Sequence, residues 1–115
     1  MMHKDLLLGI DVGTTGTKCS VYDIHGKRVA SAYREYPMLH PRPGWTEQDP
    51  SRWWDAVCCN LQTIFQSQDI DKNRIAAVGT SSTNAVFLAD RQGQPLCNAI
   101  SLHDQRSGTQ VEWLK

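Results

Sequence analysis

The run Gly9-Ile10-Asp11-Val12-Gly13-Thr14-Thr15-Gly16-Thr17-Lys18 follows directly on Leu6-Leu7-Leu8. An unbroken apolar stretch closed by a Gly/Thr loop predicts a strand buried on both faces. What comes after the loop decides the fold. Residues 18–23, Lys-Cys-Ser-Val-Tyr-Asp, suit a strand and not a helix. Gly26 then offers a positive φ in a short turn, and residues 29–36 read as a third strand with mixed faces. Strands two and three around that turn make a hairpin.

Outward from this meander lies a loop containing Pro37, Pro41, Pro43 and Pro50, which argues against regular structure there. Asp49-Pro50 is a helix start, with an acid at the N-cap and proline at the first helical position. The helix is predicted from Pro50 to about Gln68, with Trp53, Val57, Leu61, Ile64 and Phe65 on its apolar face. Arg52, Asp55, Asn60, Gln62 and Gln66 fall largely opposite. Short strands are predicted at 75–79, 85–89 and 97–101, and a helix from Ser107. A three-strand meander, a helix and a strand returning beside the first form the start of a ribonuclease-H-like α/β layer fold.

The chain's 115 residues suit one domain with a modest core. Twelve Lys and Arg balance 12 Asp and Glu, so no electrostatic footprint for nucleic acid or an anionic membrane is present. No apolar run reaches membrane-spanning length, and Leu6–Ile10 is too short for a signal-peptide core, so the expectation is a soluble, cytoplasmic protein. Cys19, Cys58, Cys59 and Cys97 contain no Cys-x-x-Cys pair and the four histidines show no ligand spacing, so free thiols and no structural metal are expected.

Phosphate binding asks for converging backbone N–H groups and small side chains near the anion. It also asks for an acid that can hold Mg²⁺ and a lysine as point charge. Asp11, Gly13, Thr14, Thr15, Gly16, Thr17 and Lys18 supply each part. A Walker A loop is excluded because Lys18 follows Thr17 and leads into a strand. A Rossmann fingerprint is excluded by spacing and by the missing helix. From these residues alone, a plain hairpin turn stands beside the phosphate cradle as an equal alternative.

Four stretches shift that balance together. Residues 9–27, Gly-Ile-Asp-Val-Gly-Thr-Thr-Gly-Thr-Lys-Cys-Ser-Val-Tyr-Asp-Ile-His-Gly-Lys, resemble the phosphate-binding opening of the FGGY carbohydrate kinases, in the actin/hexokinase/heat-shock-70 ATPase superfamily. Arg42-Pro43-Gly44-Trp45-Thr46-Glu47-Gln48-Asp49-Pro50 is similar to the Pro-Gly-Trp-x-Glu-Gln-Asp-Pro segment of xylulokinase- and gluconokinase-like members. Residues 75–90 resemble the strand and loop that reach the sugar, and residues 99–107 resemble the family's Trp-Asn-Asp-x-Arg stretch. The likeness runs from about Leu6 to Ser107.

The resemblance implies an actin-like ATPase domain with a mixed sheet, antiparallel in its first three strands. It implies ATP and Mg²⁺ as cofactors, and transfer of the γ-phosphoryl to a hydroxyl of a small sugar or sugar acid. Asp11 would lie beside Mg²⁺–ATP, holding the metal through water. Gly13, Thr14 and Thr15 would face the γ-phosphate, with Lys18 reaching phosphate as well. Thr83, Asn84, Asp104 and Arg106 would stand on the sugar side. For Asp104 and Arg106, an ion pair holding a loop is an equal reading. Leu102 and His103 depart from the family's Trp and Asn, and residues 81–84 lack its usual Gln-Met-His or Gln-Arg-Glu. Trp45 reads as a clamp at the helix start and Trp53 as core, and Glu47 as support for the helix dipole.

The family's catalytic base, an aspartate, and its adenosine-binding second domain would both lie beyond residue 115. Residues 1–115 therefore read as the N-terminal portion of a kinase's first domain, inactive alone, with uncovered apolar surface that favours self-association. The alternative reading is a non-catalytic nucleotide-binding or interaction module of the same fold, and the third is a structural domain.

Overall fold

The computed structural model describes residues 3–115. Three antiparallel strands come first: β1 (Leu6–Val12), β2 (Gly16–Asp23) and β3 (Arg28–Glu35). Then follow β4 (Glu47–Gln48), α1 (Pro50–Gln62), a π turn (Thr63–Ser67) and a 3-10 turn (Lys72–Arg74). The chain closes with β5 (Ile75–Ser82), β6 (Ala85–Val86), β7 (Ala99–Ser101) and α2 (Gly108–Leu114). β5 returns parallel to β1, giving a four-stranded sheet of order β3-β2-β1-β5, and a second sheet has order β4-β7-β6.

Strand alternation divides the first sheet into a covered and an open face. Leu6, Leu8, Cys19, Val21 and Ala30 point to the side covered by α1 and the π turn, where Ile64 completes the core. Leu7, Asp11, Lys18 and Tyr33 lie on the open side and are exposed. The β2–β3 turn forms as its sequence dictates: Asp23 Oδ1 accepts from the N–H groups of His25 and Lys27, both at 2.9 Å, and Gly26 takes φ 83°. At the start of α1, Asp49 accepts from Ser51 N–H at 3.0 Å with Pro50 in the first turn, as predicted.

Several expectations are corrected. β1 is buried on one face and not on both, because α1 and the π turn cover only the Leu6 and Leu8 side, and Leu7 on the other is 42% exposed. The proline-rich loop contains β4, paired with β7 from much later in the chain. The predicted helix to Gln68 leaves α geometry after Gln62. There the Thr63 hydroxyl donates back to the Cys59 carbonyl at 3.0 Å, a bond that competes with the helical ladder. β5 continues through Thr80, Ser81 and Ser82, because β1 offers it a partner along its whole length. β6 covers only two of the five residues expected for that strand, and β7 three of the five expected for its own.

The described chain is elongated, 60 × 27 × 26 Å. Its radius of gyration is 17.6 Å, against about 13 Å for a compact domain of this size. Accordingly Val78, Val86, Leu88, Leu96, Leu102 and Trp113 are exposed. Among the described residues no helix is long and apolar enough to cross a membrane. All four cysteines are free.

Candidate phosphate and sugar site

The loop between β1 and β2 is held almost wholly through its carbonyls. The Tyr36 hydroxyl donates to the Gly13 carbonyl. Gln48 Nε2 donates to that of Thr14 at 2.6 Å. Tyr36 N–H donates to Thr15 O at 3.2 Å, and Gly13 N–H to Gly16 O at 3.0 Å. Asn60 Nδ2 reaches Thr17 O at 2.9 Å. Every carbonyl from Gly13 to Thr17 thus has an internal donor. By contrast, the N–H groups of Thr14 and Thr15 donate to no partner among the described residues. A backbone N–H needs an acceptor, so this pair is available to water or an anion.

The loop glycines act through space and not through dihedral freedom, since neither Gly13 nor Gly16 has a positive φ. A Cβ on Gly16 would lie 2.5 Å from the Arg34 carbonyl oxygen and 2.6 Å from the Tyr33 hydroxyl. On Gly13 it would lie 3.0 Å from Gly16 O.

Register puts Asp11 opposite Lys18 on β2 and opposite Ser81 on β5, all on the open face. Among the described residues neither Asp11 nor Lys18 forms an ion pair. They line a cavity of about 440 Å³ whose floor is the register pair Gly9 and Gly79. A Cβ on Gly79 would meet nothing within 4 Å and one on Gly9 only Ser20 O at 3.9 Å, so the packing of the chain itself leaves this space free. A hollow of about 750 Å³ beside Leu61, Phe65 and Ile70 is larger, but none of the predicted site residues lines it.

The structure brings one residue of the predicted sugar set, Thr83, into contact with the phosphate loop. The Thr14 and Thr83 hydroxyls are 3.0 Å apart, and Thr83 N–H donates to Val12 O at 2.7 Å. Asn84 is exposed beside Thr83. Asp104 and Arg106 lie in a separate cluster. Arg106 Nε and Nη2 grip both Asp104 oxygens at 2.8 Å, and Nη2 also reaches Glu47 Oε2 at 2.7 Å. The guanidinium lies 3.7 Å from the centre of the Trp45 ring, a cation–π contact. Hydrogen bonding to Arg106 holds the Asp104 and Glu47 carboxyls below the usual carboxylate range and raises Arg106 further.

Glu47 is therefore spent on Arg106 and Asn98, not on the helix dipole. Trp45 is a platform for Arg106, not a clamp at the helix start. Trp53, expected in the core, is only half-buried and lies outside the core cluster, edge-on to the exposed Phe87 with centroids 5.9 Å apart, because the core gathers instead around Val21 and Ile64. Sequence reasoning missed Tyr36, Gln48 and Asn60 as supports of the loop. Asn60, assigned by periodicity to the polar face, is 1% exposed. The one legible signal was the Glu-Gln pair just before the Asp-Pro helix start, a polar pair next to a predicted N-cap.

The chain belongs to the FGGY family of carbohydrate kinases: residues 6–115 match the N-terminal domain of that family. Among curated proteins it is 37% identical over 108 residues to the glycerol kinase of Haloferax volcanii, covering 92% of this chain and 21% of that protein. The crystal structure of xylulose kinase from Rhodospirillum rubrum superposes with TM-score 0.85 at 30% identity, over 95% of this chain and 22% of that one. Plasmodium falciparum glycerol kinase with ADP gives TM-score 0.84 at 26% identity, over 98% and 23%. The mixed sheet is that of the actin-like domain of these kinases. The chain spans about a fifth of the length of the curated relatives it matches, and corresponds to their N-terminal portion.

Proposed function

We propose that this chain carries the phosphate-binding part, and one wall of the sugar site, of an ATP-dependent carbohydrate kinase that transfers the γ-phosphoryl to a sugar or sugar-acid hydroxyl. The observation that carries the reading is the loop's polarity: five carbonyls held inside and the Thr14 and Thr15 N–H groups without an acceptor among the described residues. Phosphoryl transfer asks chiefly for positioning and charge neutralisation, which such a loop provides.

In this reading Thr14 and Thr15 donate to the terminal phosphates, Gly13 keeps the backbone close, and Lys18 supplies a positive charge. The Asp11 carboxylate, unpaired and exposed on an open cleft, fits Mg²⁺ held through water. When bound, the metal would neutralise charge on the phosphate oxygens. Thr83 and Asn84 hydrogen-bond sugar hydroxyls. Asp104 and Arg106 shape the sugar side chiefly by holding residues 102–107 against Glu47 and Trp45. The adenosine contacts and the base aspartate that the resemblance implies belong to sequence outside 1–115. The chain by itself then binds nucleotide without turnover. Four unbridged cysteines support a cytoplasmic setting.

Titration of Mg²⁺–ATP into the chain and into Asp11→Ala tests the reading. The variant is expected to bind roughly tenfold more weakly. Equal binding by the two would remove Asp11 from the site, and robust sugar-dependent ADP release by the chain alone would contradict the partial-site reading. Exposed Val78, Val86, Leu88 and Leu102 support self-association of the isolated chain, which a monodisperse monomer in light scattering would refute.

A further inference from the structure

We propose that Tyr36 and Gln48 are positioning residues that set the direction of the two free loop amides. The proposal rests on the phosphate reading above and names the side chains behind it. A trans peptide is planar, so the C=O of one residue and the N–H of the next point in opposite directions. The Gly13 carbonyl and the Thr14 N–H share one such plane, and the Thr14 carbonyl and the Thr15 N–H share the next. Tyr36 holds the first carbonyl and Gln48 the second. Drawing each carbonyl inward turns the paired N–H outward, and these are the two N–H groups with no acceptor among the described residues.

Both side chains are built to hold their place. Gln48 is 2% exposed, and its Oε1 accepts from Trp53 Nε1 at 3.3 Å, which fixes the amide so that Nε2 faces Thr14. Tyr36 is buried, and its hydroxyl accepts from Thr17 Oγ1 at 3.3 Å, leaving its own proton for Gly13. Burial pushes the Tyr36 phenol above its ordinary value, so the donor keeps its proton at neutral pH. Gln48 also has a mechanical neighbour. It alternates along β4 with Glu47, whose side chain joins the Arg106 cluster, so one short strand ties the phosphate loop to the sugar side.

The two peptide planes can be broken one at a time. Gln48→Met keeps the side chain's length and removes the donor to Thr14 O. Tyr36→Phe keeps the ring and removes the donor to Gly13 O. In weakly aligned, ¹⁵N-labelled samples of the full chain, Gln48→Met is expected to change the N–H dipolar coupling of Thr15 while sparing Thr14. Tyr36→Phe is expected to do the reverse. Each variant should weaken binding of inorganic triphosphate, followed by amide shifts, roughly three- to tenfold. Couplings that stay unmoved, or both amides disturbed alike by either variant, would overturn the positioning roles. If one variant fails to fold, the other still reads its own plane. A wild-type chain whose Thr14 and Thr15 amides ignore triphosphate would instead overturn the phosphate reading itself, whatever the couplings show.

Discussion

The loop at Gly13–Thr17 and the segment at Leu102–Ser107 flank the same strand, β4, and are stabilised in opposite ways. The first is held by neutral hydrogen bonds from buried side chains to its carbonyls, and it leaves backbone donors and the Asp11 and Lys18 charges unspent. The second is held by charge, and it spends that charge on itself: Arg106 satisfies Asp104 and Glu47 and lies on Trp45. A loop whose polar groups are consumed internally is a scaffold, whereas one that keeps donors free is a binding surface. For Asp104 and Arg106, where substrate contact and a loop-holding ion pair stood as equal readings, the difference favours the ion pair.

The largest effect expected from breaking this contrast is steric. Gly16→Ala puts a methyl group against the Arg34 carbonyl and the Tyr33 ring, and backbone cannot yield as a flexible side chain does. A loss of about 3 kcal/mol in urea unfolding is expected. A loss below a few tenths would mean that the loop is not packed as described.

Next comes Arg106→Met. It strands Asp104 and Glu47, so the melting temperature falls, and the pH dependence flattens. The sign follows from the depressed carboxyls. A folded-state pKa below the unfolded value stabilises above the unfolded value and is lost as pH falls through the folded one. Wild type should therefore lose stability as pH drops from about 5 toward 2, and Arg106→Met should lose less across that window. Parallel curves for the two proteins would show that the cluster contributes no linkage.

The smallest effect belongs to Gly44→Ala, beside the charged segment. Its φ is 76° and a Cβ there would come no nearer than 3.8 Å to Gln105 Cβ, so the cost is conformational alone, about 1 kcal/mol. A cost equal to that of Gly16→Ala would erase the distinction between glycine kept for space and glycine kept for dihedral freedom.

Much of this arrangement was written locally. The apolar run, the Gly26 turn and the Asp49-Pro50 start each act over a few residues, and each formed where expected, although the strand made by the apolar run is buried on one face and not on both. The Asp11–Lys18 pairing came only with the structure, because β1 runs on past Ile10 through Asp11 and Val12, two residues that the sequence reading gave to the loop. What failed depended on distant partners. Asn60 looks like a solvent-facing amide until the Thr17 carbonyl lies against it. Glu47 resembles a helix-start acid until the fold delivers Arg106. The Thr80–Ser82 segment looks like a loop by composition and becomes strand only because β1 runs beside it. A hydrophobic pattern records which face is apolar, and it carries no trace of which carbonyl waits on that face.

The central claim is that the Thr14 and Thr15 amides receive phosphate while the Arg106 cluster does not. Mg²⁺–ATP titrated into ¹⁵N-labelled chain tests it residue by residue. The account predicts saturable shifts at Thr14 and Thr15 that need roughly tenfold more nucleotide to saturate in Asp11→Ala, with the amides of Asp104 and Arg106 unmoved. Shifts centred on 102–107, with Thr14 and Thr15 silent, would contradict it.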